Sequence, residues 1–339
     1  MNRATALLKY SATRLALAPI MLWLISSMVF LLLRVAPGDP VDAVLGNRAD
    51  ALAREVMRAK LGLDQPLFNQ YLNFLNGLIH GDLGESLNTQ EPVSQIIVKA
   101  LPASLELGLT AIIVALVIGF GVGFTGIARP EGKTDLAGRL YGIGTYALPP
   151  FWAAMLIQLF FAANLGWFPV GGRFPVTYLP PEGTGFLIID SLLSGNFLAL
   201  KDALMHLFLP AGTLGFLLSG IFSRSLRVNL EKTLKAGHIE AARCRGIKER
   251  KILLFHALPN SLLPVLTITG LTVASLIGGA LLIEITFSWP GIALRLQEAI
   301  SQRDYPIVQG IIVVISMLVV FIGVFVDLLI ALIDPRVSY

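Results

Sequence analysis

An all-α integral membrane protein with six spanning helices is the fold class this sequence predicts, and three observations predict it. Charged residues make up only 14% of the 339 residues, and 55% are hydrophobic, against the roughly 25% charged of an average soluble domain. Six long runs carry no charge: 19 residues between Arg14 and Arg34, 22 between Glu106 and Arg129, 33 between Arg139 and Arg173, 21 between Asp202 and Arg224, 32 between Lys251 and Glu284, and 22 between Asp304 and Asp327. Basic residues collect at the edges of these runs, nine of them within residues 224–251. A bilayer core about 30 Å thick needs roughly 20 helical residues to cross it. Buried helices of a large soluble protein would have to supply six such segments with no charged face at all.

The first run predicts helix 1 at about 12–34. It is as long as a full crossing, and Leu-Leu-Leu-Arg34 followed by Pro37-Gly38-Asp39-Pro40 makes a poor small-residue cleavage site, so it is expected to stay attached. Residues 35–101 then read as a small helical segment outside the membrane. Within it, Arg48 to Leu61 is amphipathic, with Leu52, Val56, Ala59 and Leu61 set among charges. Gly62 and Pro66 separate it from a second helix, Leu67–Ile79, carrying Phe68, Tyr71 and Phe74. Such apolar faces predict packing on the bundle. Gly81-Asp82-Leu83-Gly84-Glu85-Ser86 closes the segment as a loop.

Helix 2 is expected at about 102–128, helix 3 at 136–163 and an external loop at 164–202. Helix 4 follows at 203–227, a cytosolic loop at 228–258, helix 5 at 259–285, an external re-entrant stretch at 286–305 and helix 6 at 306–333. The chain thus divides into a tail with the first span (1–34), the outer segment (35–101), a transmembrane core (102–335) and a short tail (336–339). Assigning both termini to the cytosol places 16 of the 26 Lys and Arg inside. The long 34–100 segment carries little weight in that balance, whereas the dense 224–251 loop carries much. The formal net charge of +4 tracks the membrane boundaries and gives no reason to expect nucleic acid.

Catalytic signals are thin. Gly126-Ile-Ala-Arg-Pro-Glu-Gly132-Lys133-Thr134 has five residues between its glycines where a phosphate-binding loop needs four, and Pro130 sits inside the would-be cradle. It reads as a turn between helices 2 and 3. His80, His206, His238 and His256 form no metal pair on one helix, so no metal site is expected. The single cysteine, Cys244, rules out an internal disulfide. Carboxylates near a membrane are costly and draw attention. Glu106 opens helix 2 and Glu284 ends helix 5; each is a candidate for lining a translocation path, or for local satisfaction by water or a neighbouring helix. His206, at the outer mouth of helix 4, is either a packed interfacial histidine or a ligand. Asp327 reads as a structural partner for a basic residue. Gly119-x-x-x-Gly123 in helix 2 reads as a site of close helix packing. Gly270 and Gly278-Gly279 weaken helix 5, which follows directly from the 228–258 loop and is expected to move with it.

That loop holds the most informative string. Glu240-Ala241-Ala242-Arg243-Cys244-Arg245-Gly246 reads as a short helix with an acid in its first turn and bases in its last, as the helix dipole prefers. Gly246 suits the left-handed residue that ends a helix. Ala241 and Ala242 are small enough for a partner to approach the backbone. The spacing from Glu240 through Gly246 to Leu258-Pro259 resembles the cytoplasmic docking loop of ABC-importer permeases, with His256 standing where the pattern has Ile.

Further strings are similar to permease subunits of dipeptide, oligopeptide, nickel and glutathione importers. They include Pro37-Gly38-Asp39-Pro40, Leu61-Gly62-Leu63-Asp64-Gln65-Pro66, His80-Gly81-Asp82-Leu83-Gly84 and Pro102-Ala103-Ser104-Leu105-Glu106-Leu107. Pro169-Val170-Gly171-Gly172-Arg173, Phe287-Ser288-Trp289-Pro290-Gly291 and Arg303-Asp304-Tyr305-Pro306 continue the likeness in order along the chain. The resemblance implies a type I importer fold in the bacterial inner membrane. It implies a second similar permease subunit, two cytosolic ATPase subunits that would hold ATP and Mg, and an extracytoplasmic solute-binding protein. This chain would bind no cofactor and catalyse nothing. Glu240, Ala241, Ala242, Arg243, Arg245, Gly246, Leu258 and Pro259 would couple it to the ATPases, with Ala241 and Ala242 facing them. Two other classes compete. A secondary transporter needs midplane acids or paired broken helices, and a membrane enzyme needs a nucleophile beside a base. Neither is found in the sequence.

Overall fold

The structure, a computed structural model, describes residues 3–35, 41, 45, 50–128 and 132–333. Among these the regular structure is helical, apart from one isolated bridge between Glu85 and Pro92. Pro37-Gly38-Asp39-Pro40, Arg48, the turn around Pro130 and the 336–339 tail lie outside the described residues.

Helix α1 spans Arg3–Val35. The outer segment supplies α2 (Ala51–Lys60) and α3 (Leu67–Ile79), the second matching its expected bounds. Helix α3 packs on α1 as its apolar face predicts. Phe30 of α1 lies 5.4 Å from the Tyr71 ring and 5.5 Å from the Phe74 ring, and the Ser27 and Tyr71 hydroxyls are hydrogen-bonded at 2.6 Å.

Helix α4 runs from Val93 to Ala128 with Pro102 inside it, beginning nine residues before the expected start. Helices α5 (Lys133–Ala147) and α6 (Pro150–Ile157) follow, and α6 continues as a π-helical turn over Gln158–Asn164. The sequence predicts one helix over 136–163; the structure bends it by 101° between Ala147 and Pro150. Leu148 (ψ 124°) and Pro149 (ψ 127°) are both extended, because each precedes a proline whose ring excludes the helical conformation. Among the described residues five helices are therefore long and apolar enough to cross a membrane, and the bent pair makes a sixth only if counted as one span.

After the short α7 (Leu187–Leu193) comes α8 (Phe197–Leu234), capped at its start by the Asn196 side chain, which accepts from the Ala199 N–H at 3.0 Å. Helix α9 (Gly237–Cys244) leads through a turn at Glu249–Lys251 and a π-helical stretch, Ile252–Ala257, into α10 (Leu258–Gly279). Three more helices finish the described chain: α11 (Leu281–Thr286), α12 (Ile292–Ser301) and α13 (Tyr305–Ile333).

Helices α4 and α8 form the spine. A Cβ added at Gly119 would stand 2.7 Å from the Ser219 carbonyl oxygen and 2.8 Å from the Phe222 Cβ, and one at Gly215 would stand 2.7 Å from the Ala111 carbonyl oxygen. Backbones this close need glycine for space, the packing role expected of Gly119. At one end of the spine Ala103, Leu107 and Ala111 pack with Leu207, Leu214, Ile283, Phe287 and Trp289. At the other, Ala115, Phe222, Leu226 and Leu230 pack with Ile239, Ile252 and Val265. A third cluster joins the start of α4 to α12 and α13 through Ile97, Ile292 and Ile311. Outward faces stay apolar: Leu24, Met28 and Leu31 on α1, Leu140 and Ile143 on α5, and Phe321 and Phe325 on α13 are all exposed. Hydrocarbon tolerates such faces, whereas water would drive them together. Several threonine hydroxyls within the spans bond to their own helices, as where Thr213 donates to the Leu209 carbonyl at 2.7 Å and Thr269 to the Val265 carbonyl at 2.8 Å.

Candidate functional site

Two constructions sit at opposite ends of the α4–α8 spine. The first is the short helix α9. Ile239 and Ala242, three residues apart, are both buried, against Leu226 and Leu230 of α8 and Ile252 and Val265 on the α10 side. Glu240, Ala241, Arg243 and Cys244 are exposed on the other face. Of the two alanines expected to face a partner, only Ala241 lies on the open surface. Ala242 is turned inward because its i, i+3 relation to Ile239 places it on the anchoring stripe.

The end of α9 is fixed by backbone geometry. Arg245 is the C-cap, Gly246 has φ +71°, and two hydrogen bonds close the helix: Gly246 N–H to the Arg243 carbonyl at 2.9 Å, and Ile247 N–H to the Ala242 carbonyl at 3.2 Å. That pair of bonds around a left-handed residue is the Schellman closure. Nothing lies within 4 Å of where a Gly246 Cβ would be. Glycine is needed there for its φ and not for space. Arg243 then grips Glu249, Nε to Oε1 at 2.7 Å and Nη2 to Oε2 at 3.3 Å, and ties the helix to the next turn. Leu258 is half-buried, and Pro259 is exposed in the first turn of α10. The π-helical turn before it widens the helix where proline lacks an N–H and crowds the preceding turn.

The second construction is a knot at the far end, where strings distant in sequence meet. The Trp289 indole N–H donates to the Ala103 carbonyl at 2.9 Å. Gly172 N–H donates to the Phe287 carbonyl at 2.8 Å, and a Cβ on Gly171 would stand 2.6 Å from that same oxygen. Arg173 reaches Glu106 through Nη2 at 2.6 Å and Nε at 3.1 Å, and also donates to the Gly185 carbonyl at 2.7 Å. The second oxygen of Glu106 accepts from Ile188 N–H at 2.9 Å.

Glu284 has a separate task. Gly291, the N-cap of α12, has no side chain to satisfy the first N–H groups of that helix. Ser104 and Glu284 supply the missing cap from elsewhere: Ser104 Oγ accepts from Ile292 N–H at 2.7 Å and donates to Glu284 Oε1 at 2.5 Å, and Glu284 Oε2 accepts from Leu294 N–H at 2.8 Å. A Cβ on Gly291 would overlap both Glu284 Oε1 and Ser104 Oγ. The carboxylate also faces the positive end of the α12 dipole. Nearby, Asp304 Oδ2 accepts from Ser86 Oγ at 2.6 Å, tying the 81–86 loop to the start of α13.

These contacts match one of the two readings left open for the acids, satisfaction by neighbouring groups of the chain. Glu106 and Glu284 are buried and fully engaged within the chain, so neither carboxylate lines an open passage in this conformation. A buried charge persists only when paired or hydrogen-bonded: Glu106 is paired with Arg173 and accepts a backbone N–H, and Glu284 is held by hydrogen bonds from Ser104 and Leu294. His206 is half-buried, its Nδ1 2.8 Å from the Asp202 carbonyl of its own helix. Among the described residues no group of three or more His, Cys, Asp or Glu is placed to hold a metal ion. The strings Pro102–Leu107, Gly171–Arg173 and Phe287–Gly291 stand out in the sequence singly. Their mutual contact is not legible there, because partners as far apart as Ser104 and Glu284 leave no periodic signal.

A bundle of helices long and apolar enough to cross a membrane, clamped at one end and presenting an anchored surface helix at the other, defines a multi-pass helical membrane protein. The chain belongs to the family described as binding-protein-dependent transport system inner membrane component, whose model matches residues 111–339. The model described as "Binding-prot-dependent transport system membrane comp, N-term" matches residues 7–108. Similar proteins include the di/tripeptide transport system permease protein DppB of Pseudomonas aeruginosa, 37% identical over 98% of this chain and 99% of that one. The oligopeptide transport system permease protein AppB of Bacillus subtilis is 34% identical over 93% and 94%. The glutathione transport system permease protein GsiC of Pectobacterium atrosepticum is 30% identical over 98% and 100%. The chain is thus a transmembrane permease component of a binding-protein-dependent transport system.

Proposed function

We propose that this permease forms half of a translocation path for peptides or a related small solute, driven by cytosolic ATPases that grip α9. The supporting observation is the arrangement of α9, an exposed helix anchored by Ile239 and Ala242 to the bases of α8 and α10 together. A push on Glu240, Ala241 and Arg243 would reach both long helices at once, and α8 runs unbroken to the knot side. Small shifts at a gripped helix become large ones only when the elements beneath it move as packed bodies. The names of the similar permeases favour di- and oligopeptides as the solute.

In this reading the complex also holds a second permease subunit and an extracytoplasmic binding protein. ATP and Mg reside on the ATPases, and this chain is non-catalytic. The density of Lys and Arg in 224–251 supports a cytosolic side for α9 and for both termini, in a bacterial inner membrane. Reconstitution with partner subunits tests the coupling. Glu240→Lys at the outer face of α9 is expected to abolish ATP-dependent peptide uptake and ATPase co-purification while membrane insertion stays intact. Uptake by the isolated chain in ATP-free vesicles would instead indicate an ion-driven carrier.

A further inference from the structure

A groove of about 490 Å³ opens between α4, α5 and α8, away from both constructions described above. Its walls change character along their length. One end carries Arg139, Arg224 and Arg227; the other is lined by Ile143, Tyr146 and Ala147. Arg139 and Tyr146 are seven residues apart on α5, roughly 10 Å along a helix. The basic end lies at the start of α5, where the chain leaves the membrane, so the apolar end reaches inward. Gly142, between the two ends, and Gly138, beside Arg139, also line the groove.

The arginines are arranged, not merely present. Buried Asp135 holds Arg227 Nη2 at 2.5 Å and Arg139 Nη2 at 3.0 Å, and Glu231 Oε1 accepts from Arg227 Nε at 2.9 Å. Three cations against two carboxylates leave one positive charge. Arg224 is exposed in the groove, and among the described residues its side chain has no ion-pair or hydrogen-bond partner. Arg139 spends one of its five N–H groups on Asp135.

We infer that this groove is a binding site for an anionic phospholipid, with its phosphate on Arg224 and Arg139 and an acyl chain along Ile143 and Tyr146. The order of the walls matches an amphiphile lying parallel to the helices. Basic pockets between spanning helices at the cytoplasmic boundary attract such headgroups, and arginine forks suit phosphate oxygens. A free anion would use the arginines and leave the apolar end without purpose. The leaflet follows from the orientation proposed above; binding itself does not depend on it.

Native mass spectrometry of the detergent-purified chain, titrated with phosphatidylglycerol or phosphatidylethanolamine, tests the site. The expected result is preferential retention of phosphatidylglycerol, falling roughly fivefold for each arginine removed in Arg224→Gln and Arg139→Gln. Arg224→Gln breaks no ion pair, so that variant remains informative if Arg139→Gln fails to fold. Equal retention by wild type and Arg224→Gln overturns the inference, as does displacement of the lipid by millimolar inorganic phosphate. A photo-crosslinker replacing Tyr146 should capture lipid in the assembled complex; capture of the second permease subunit instead would show that protein covers the groove. Normal ATP-dependent uptake by Glu240→Lys with lipid retention unchanged would count against the transport reading alone.

Discussion

Arg173 and Glu106 form a buried ion pair across 67 residues of sequence, Nη2 to Oε2 at 2.6 Å. The same guanidinium lies over the Trp289 ring at 5.9 Å, and the same carboxylate holds the Ile188 N–H. One pair therefore joins α4, the loop after α6, α7 and the stretch before α12. Removing one partner strands a charge in a place with little water, a loss of about 3–5 kcal/mol. Arg173→Met and Glu106→Leu are each expected, alone, to lower the thermal unfolding midpoint of the solubilised protein sharply. The double substitution Arg173→Met with Glu106→Leu is expected to recover much of the loss. Additive losses in that cycle would show that the pair is not coupled.

Glycines on one helix separate by neighbourhood. Gly119 has backbone of α8 within 2.7 Å of where its Cβ would stand, while Gly121 has nothing within 4 Å. Gly119→Ala is expected to cost about 1–3 kcal/mol through forced separation of α4 and α8. Gly121→Ala should be neutral or slightly stabilising, since alanine is the better helix former. Equal thermal midpoints for the two variants would contradict the packing described here.

Much of this architecture was open to reading in the chain. Charge-free runs marked the spans, because a bilayer forbids charge over a fixed length wherever the helix sits. Their shape was less open: the 140–172 run hides a 101° bend, although Pro149-Pro150 was its visible cause. Absence of charge measures length and says nothing of straightness. The turn after α9 was legible at Gly246, and the inward side of α9 could have been taken from Ile239 and Ala242 at i, i+3. The engagement of Glu106 and Glu284 could not, since Arg173, Ser104 and Leu294 reach them only through the tertiary fold.

Gly246 offers a graded test of how the end of α9 is built. Alanine at φ +71° costs about 1–2 kcal/mol, and asparagine, which tolerates that region, costs less. Proline fixes φ near −65° and would also remove the N–H bonded to the Arg243 carbonyl. Uptake by the reconstituted complex is expected to fall in the order Gly, Asn, Ala, Pro, with membrane insertion constant. Normal transport by Gly246→Pro would show that the closure of α9 does not matter to coupling.

Acid should loosen the loop before α7 through Asp190. Burial pushes this carboxyl up, but the Thr184 N–H and hydroxyl, the Gly185 N–H and the charge of Arg173 outweigh it and hold it below its ordinary value. A carboxylate depressed on folding stabilises fully above its unfolded pKa and loses that contribution as pH falls through the folded one. The stability gap between wild type and Asp190→Asn should be present at neutral pH and narrow below roughly pH 3.9. A gap that widens on acidification would reverse the sign of this account.

Cys244 makes the orientation testable without engineering, since it is the chain's single cysteine, exposed at the end of α9. Its thiol shares the open face with Glu240 and Ala241, immediately before Arg245 and Gly246. If α9 is the ATPase grip, a membrane-impermeant maleimide added to intact cells should leave Cys244 unmodified, while inverted vesicles should label fully. Bound ATPases should slow that labelling, because the face they hold is the one that carries the thiol. Cys244→Ser should retain transport, since no hydrogen bond or disulfide from this side chain holds the helix end. Modification from outside intact cells would place α9 on the wrong side of the membrane for any ATP-driven partner.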